Sequence, residues 1–186
     1  YVASLDFYRD LVAFAKKHEI FILSDLAYAE VYFDGDNPPP SVLQVPGAID
    51  VTVEFTSMSK TFSMAGWRMG FAVCNDRIIA ALARVTSYLD YGSFTPIQVA
   101  ATAALNGPHD CIREMRETYR NRRHALVVSF ARAGWDIPPP RASMFAWAPL
   151  PPAFKAVGSL QLATRSGGTA GVGVPDREAQ CPTPRH

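Results

Sequence analysis

Apolar positions along the chain fall into runs whose period switches between helical and extended. Over Asp6 to His18, Phe7, Leu11, Phe14 and Ala15 recur at helical spacing, and Lys16, Lys17 and His18 end the segment with charge that suits a helix C-terminus. Ile20-Phe21-Ile22-Leu23 follows at once. A short continuous apolar run after a helix predicts a strand buried on both faces, as in a parallel sheet, and it stops at Ser24-Asp25. Asp34 to Pro46 is dense in turn formers and predicts a surface loop. Val51 to Thr56 is a second strand running into Ser57-Met58-Ser59-Lys60, and Gly70 to Cys74 a third. Asn75 then caps a helix over Asp76 to Tyr88.

Further on, Thr95-Pro96-Ile97-Gln98 offers Thr as N-cap, Pro at N1 and Gln at N3 for a helix reaching Gly107. Pro108 opens a longer helix that ends at Gly134, placed as the residue just past its C-terminus. Trp135 to Trp147 reads as two short strands around a Pro-Pro-Pro turn. Helices alternating with buried strands predict an α/β domain followed by a smaller α+β portion.

Composition narrows the function without naming it. With 186 residues, 48% of them hydrophobic and 19% charged, the chain has an ordinary globular balance and material for one sizeable core, or one domain and part of another. A net charge of +1 gives no global reason to expect nucleic acid or an anionic membrane as partner. Cys74, Cys111 and Cys181 are far apart and odd in number, so neither a disulfide framework nor a zinc site is indicated, and a reducing, cytoplasmic setting is expected. No apolar run approaches the length of a membrane span, and Tyr1 to Asp10 has no signal-peptide pattern. The chain opens without Met and in mid-element, as if a portion upstream were missing.

Two strands end in reactive groups: Asp25 on one, Ser57 to Lys60 on the other. Ligands of open α/β sheets bind beyond the carboxyl ends of the strands, so Asp25 and Lys60 are expected to meet at one small molecule. A Lys so placed is a candidate Schiff-base amine, and an Asp facing a pyridine nitrogen keeps it protonated. Taken singly, a strand-end Asp is more often a cap and a Lys a solvated surface residue.

The surrounding residues are more specific. Ser57-Met58-Ser59-Lys60, followed by Gly66-Trp67-Arg68-Met69-Gly70, resembles the cofactor-lysine signature of class I/II (fold-type I) aminotransferases, which use pyridoxal 5'-phosphate. Asp25-Leu26-Ala27-Tyr28 is similar to the same family's D-x-x-Y element. The resemblance implies that Lys60 carries the cofactor as a Schiff base and that Asp25 pairs with its pyridinium nitrogen. It also implies that Tyr28 hydrogen-bonds the phenolic oxygen while Ser57 and Arg68 bind the phosphate, a task suited to a hydroxyl and a forked guanidinium. Tyr88 to Pro96 and Ala142 to Trp147 look most like the alanine (glutamate–pyruvate) and diaminopimelate branch. Amino acid and 2-oxo acid substrates and a homodimer are implied with it, and no metal.

Other readings fare worse. Ser57-x-x-Lys60 fits the S-x-x-K of serine β-lactamases, but the accompanying S-D-N and K-T-G elements are lacking. No G-x-G-x-x-G or P-loop pattern occurs. Arg113, Arg116, Arg120, Arg122 and Arg123 interleave with Glu114 and Glu117, as on a solvated helix face rather than a nucleic-acid surface. Tyr88, Tyr91 and Phe94 read as core or subunit contacts. The resemblance implies a division into a partial cofactor-binding large domain at 1–107 and a linking helix with a partial small domain at 108–164. It leaves 165–186 as an aberrant, disordered tail, because this stretch lacks apolar periodicity and is heavy in Gly, Pro and Arg. The family's Asn-Pro-x-Gly element and its late carboxylate-binding Arg have no counterpart, so a truncated or frameshifted, non-catalytic remnant is the competing expectation.

Overall fold

The computed structural model describes residues 2–33, 35 and 37–170. Helix α1, Leu5–Lys17, begins at Ser4, whose hydroxyl accepts the Phe7 N–H at 3.1 Å and satisfies one of the unpaired donors of the first turn. Its inner side buries Val12 and Ala15 with Ile22, Val42, Val45 and Ala48, and Leu5, Tyr8 and Leu11 pack around this cluster. Phe7 and Phe14 stay more than half exposed, so the apolar stripe is wider than the surface it meets. Val42 and Val45 belong to the segment read as a surface loop. A 3-10 turn at Val42–Gln44 folds them inward, and a second follows at Ala48–Asp50. Residues 34 and 36 of that segment lie outside the described residues.

Three strands form one sheet in the order β1 (Ile22–Asp25), β2 (Thr52–Ser57), β3 (Gly70–Val73). β1 lies parallel to β2 with Asp25 opposite Phe55. β3 returns antiparallel, with Ser57 opposite Gly70. The expected α/β class is found, here as a small sheet with one parallel and one antiparallel pairing. The expected burial of the first strand on both faces is not found: Ile20 and Phe21 precede the strand, and Leu23 is 73% exposed. β1 has β2 on one side and no described strand on the other.

The helices follow the sequence closely where their ends are set locally. α2, Met58–Thr61, continues directly from β2. α3, Asp76–Leu89, is capped by Asn75, whose side-chain oxygen accepts the Ile78 N–H at 3.0 Å. α4, Thr95–Asn106, starts one residue earlier than expected, with Phe94 in the cap position. Gln98 turns its amide back to donate to the Ser93 carbonyl at 2.6 Å instead of completing a box with Thr95. α5, Asp110–Arg132, closes as predicted: Gly134 takes φ 77°, its N–H donates to Ala131, and the Trp135 N–H donates to Phe130 at 2.9 Å. The Phe130 and Trp135 rings meet at 5.1 Å, the apolar contact that accompanies this end motif.

The two strands expected over Trp135 to Trp147 are absent from the described residues, where a single bridge pairs Ala142 with Tyr32. Pro138-Pro139-Pro140 has no N–H to give to a ladder. Helix α6, Ser159–Ala170, carries the chain beyond residue 165, and 171–186 lie outside the described residues. By packing, the described residues up to Leu126 with Pro139–Phe145 make one compact unit, and 127–138 with 146–170 make another.

The arginines of α5 divide by role. Arg113 and Arg120 pair with Asp110 and Glu117 one turn back, as on a solvated face. Arg116 instead crosses to Glu30, donating to its carbonyl at 3.1 Å and its carboxylate at 2.8 Å over the Tyr32 ring. Arg123 donates to the Pro140 carbonyl at 3.0 Å above Phe33. Both therefore join α5 to neighbouring segments of the first unit.

Candidate active site

The carboxyl ends of β1 and β2 open on a cavity of about 320 Å³ lined by Asp25, Ala27, Phe55, Thr56, Ser57, Ser59, Arg68, Met69 and Gly70. Three of the five candidate residues, Asp25, Ser57 and Arg68, thus share one cavity although far apart in sequence. Strand alternation and register explain the first two: Asp25 faces Phe55 across the ladder, and Ser57 lies two residues on, on the same side of the sheet. The Leu26 N–H donates to the Phe55 carbonyl at 2.8 Å and holds the chain in line just past the strand. Asp25 lines the cavity, and one of its carboxylate oxygens accepts the Ala27 N–H at 3.2 Å.

Arg68 reaches the cavity by another route. Between β2 and β3 the chain makes a loop closed at its base by the Met58 N–H, which donates to the Met69 carbonyl at 3.1 Å. Met58 is fully buried, and its carbonyl accepts from Phe62 at 3.1 Å and Met64 at 3.3 Å, so this residue pins the loop. Arg68 occupies the left-handed region at φ 55°, ψ 51°, a conformation that costs a non-glycine residue about 1–2 kcal/mol. One guanidinium nitrogen donates to the Ala65 carbonyl at 3.1 Å, and the fork has further donors to offer a ligand. The Ser57 hydroxyl accepts from the Ser59 N–H at 3.1 Å and keeps its own proton to donate.

Lys60 and Tyr28 are brought to each other rather than into the lining of that cavity. The Lys60 ammonium lies 5.6 Å from the centroid of the Tyr28 ring, within cation–π range. Behind Tyr28 stands Phe145, edge-on at 5.6 Å. The 141–145 segment is tied down there by the Phe33 N–H donating to Arg141 at 2.9 Å and the Ser143 N–H donating to Val31 at 2.6 Å.

Sequence reasoning missed Phe145 as a neighbour of this pair, since only the bridge at Ala142 brings it there. It also missed the reason for Gly70, where a Cβ would stand 2.8 Å from the Thr56 carbonyl in the cavity wall. The glycine doublet Gly66 and Gly70 was the available signal. Tyr88, Leu89, Tyr91 and Phe94 are not core in this chain: all four are strongly exposed, Tyr91 at 91%.

The donor set fits a phosphate-bearing aromatic ring. A hydroxyl, a guanidinium and a carboxylate line one cavity with Gly70, which offers no side chain to fill it. Among the described residues no group of His, Cys, Asp and Glu is placed to hold a metal, and no helix is long and apolar enough to cross a membrane.

Comparison with known proteins identifies the family and the fold. The family model for aminotransferase class I and II matches residues 1–168. The chain is 69% identical over 160 residues to the protein AatC of Rhizobium meliloti, covering 86% of this chain and 39% of that one. It is 49% identical over 161 residues to the glutamate-pyruvate aminotransferase AlaC of Escherichia coli, covering 87% of this chain and 39% of that one. Substrate-bound BacF of Bacillus subtilis superposes with a TM-score of 0.86 at 35% identity, over 95% of this chain and 44% of the other. The chain therefore spans about two fifths of the length of the curated relatives it matches.

Proposed function

The chain belongs to the class I and II aminotransferases, and on that premise we propose that it moves an amino group between an amino acid and a 2-oxo acid with pyridoxal 5'-phosphate carried on Lys60. The observation that supports this most is the convergence of Asp25, Ser57 and Arg68 on one cavity beside the Lys60–Tyr28 pair. When bound, the cofactor supplies an aldehyde carbon for amines and a ring that accepts the electron pair left by a departing α-proton.

The protein's own residues do the rest. Ser57 and Arg68 grip the phosphate through a hydroxyl and a guanidinium, bonds strengthened by the ligand's charge. Asp25 would keep a proton on the ring nitrogen, and Tyr28 would donate its hydroxyl to the ring oxygen. Lys60 would hold the cofactor through its Nζ, where the Tyr28 ring lies 5.6 Å away. When not bonded to the cofactor, the same Nζ would serve as the base that takes the proton from the substrate α-carbon. On this reading residues 1–107 belong to the cofactor-binding domain and 108–164 lead into a smaller one.

Alanine and 2-oxoglutarate are the proposed substrate pair, supported by the likeness to a glutamate-pyruvate aminotransferase. A homodimer in the cytoplasm is proposed with it. Tyr88, Leu89, Tyr91 and Phe94, close together in sequence and all strongly exposed, are the kind of apolar residues that subunit contacts cover.

The test is the absorbance spectrum of the purified chain with added pyridoxal phosphate, beside Lys60→Ala. A visible band that borohydride abolishes, absent from the variant, is expected. A folded chain with no such band refutes the role of Lys60. Turnover of alanine with 2-oxoglutarate then tests the substrate pair separately.

A further inference from the structure

Behind the cavity, on the opposite face of the sheet, lies a buried carboxylate that the reaction does not use. Glu54 is 7% exposed in the middle of β2 and has no ion-pair partner among the described residues. Its oxygens accept from the Ser24 hydroxyl at 3.1 Å, the Ser41 hydroxyl at 2.6 Å and the Val42 N–H at 3.2 Å. Ser41 in turn accepts the Leu43 N–H at 3.0 Å, so the 41–43 turn hangs on the same carboxylate.

Ser24 is the cross-strand partner of Glu54 and the residue immediately before Asp25. Alternation along the strands puts Ser24 and Glu54 on one face, and Asp25, Phe55 and Ser57 on the other. A buried carboxylate is a poor device for stability alone, since an apolar residue of similar volume usually serves as well or better. A fully satisfied polar network has a different effect: it selects one arrangement over near alternatives. The alternative that matters here is a slip of β1 against β2, which would turn Asp25 out of the cavity.

We propose that Glu54 is a positioning residue, whose carboxylate locks Ser24 and the 41–43 turn from the back of the sheet and so fixes Asp25 in the cavity. The consequence for cofactor binding rests on the function proposed above; the locking itself does not. Glu54→Gln and Glu54→Leu in the full chain test it by three readouts. These are thermal unfolding, hydrogen–deuterium exchange at the Leu26 and Ala27 amides, and pyridoxal phosphate affinity with its absorbance spectrum.

The Leu variant is expected to stay folded, to exchange Leu26 and Ala27 at least about tenfold faster with α3 unchanged, and to bind the cofactor about tenfold more weakly, the scale of losing support beneath a ligating group. The Gln variant, which keeps an acceptor oxygen, is expected to fall between the two. Parent-like exchange at Leu26 and Ala27 in the Leu variant overturns the proposal, as does exchange that quickens equally throughout. If the Leu variant does not fold, Ser24→Ala removes one arm of the lock. It must then quicken the same two amides, and unchanged exchange there is equally fatal. A parent chain with no cofactor band refutes the function reading instead, while the exchange measurements still decide whether Glu54 fixes Asp25.

Discussion

The two glycines of the Gly66-to-Gly70 segment make opposite predictions, although both could be mistaken for flexible loop positions. A methyl group at Gly70 would stand 2.8 Å from the Thr56 carbonyl oxygen, and the atom it meets is backbone. No rotamer change relieves that contact. Either β3 withdraws from β2 by several tenths of an ångström, or the antiparallel pair at Ser57 and Gly70 is strained. Gly70→Ala is therefore expected to cost about 1–3 kcal/mol, the usual range for forcing an extra methyl into a packed site. For a chain of this length each kcal/mol lowers the unfolding midpoint by about 2–4 °C, so a fall of roughly 2–12 °C is expected by calorimetry or circular dichroism. Pyridoxal phosphate affinity should fall in the same variant, because the displaced backbone carries Ser57. A methyl group at Gly66 meets nothing within 4 Å, so Gly66→Ala should stay within about 0.5 kcal/mol of the parent. Equal effects at the two positions would refute the reasoning.

Other outcomes follow from the same geometry. Arg68→Gly relieves a left-handed backbone, so its unfolding midpoint should hold or rise while cofactor affinity falls about tenfold or more, as for loss of a charge-assisted hydrogen bond. Met58→Ala empties a fully buried site at the base of the cofactor loop and should cost about 2–5 kcal/mol in denaturant titration. Asn75→Ala removes the α3 cap and should cost about 1 kcal/mol without altering cofactor affinity. Burial, and secondarily the charge of Glu54, raise the pKa of Tyr8 above its ordinary value. The fold thus favours the neutral phenol, a contribution present in full below about pH 10 and lost as the pH climbs through the folded-state value. Tyr8→Phe should flatten that alkaline loss of stability, measured by urea midpoints on either side of pH 10.

How legible these features were depends on how local their causes are. Asn75, and Gly134 with Trp135, are set by hydrogen bonds within a turn, and their sequence signals located helix ends correctly. Asp25 and Ser57 were legible because strand alternation and the rule that ligands sit at strand ends place them without knowledge of side-chain contacts. The exposure of Leu23 and the absence of strands after Trp135 depend on which segments lie alongside, something periodicity does not report. Val42 and Val45 looked like loop residues because Pro and Gly dominate their surroundings, yet one 3-10 turn folds them into the core. Glu54 read as a polar position of an ordinary strand, since nothing in the sequence ties it to Ser24 and Ser41.

The antiparallel return of β3 also bears on the order in which the site assembles. Ser57 and Arg68 stand at the two feet of one short loop, closed by the Met58 to Met69 hydrogen bond, whereas Asp25 comes from a strand separated from β2 by a long connection. Closing a short loop loses less chain entropy than a long one, and contacts of low sequence separation form sooner. During refolding the proposed anion grip is thus expected to form before the carboxylate arrives. Inorganic phosphate or the cofactor can then engage a half-built site and act as a template on which the parallel pairing of β1 and β2 is completed.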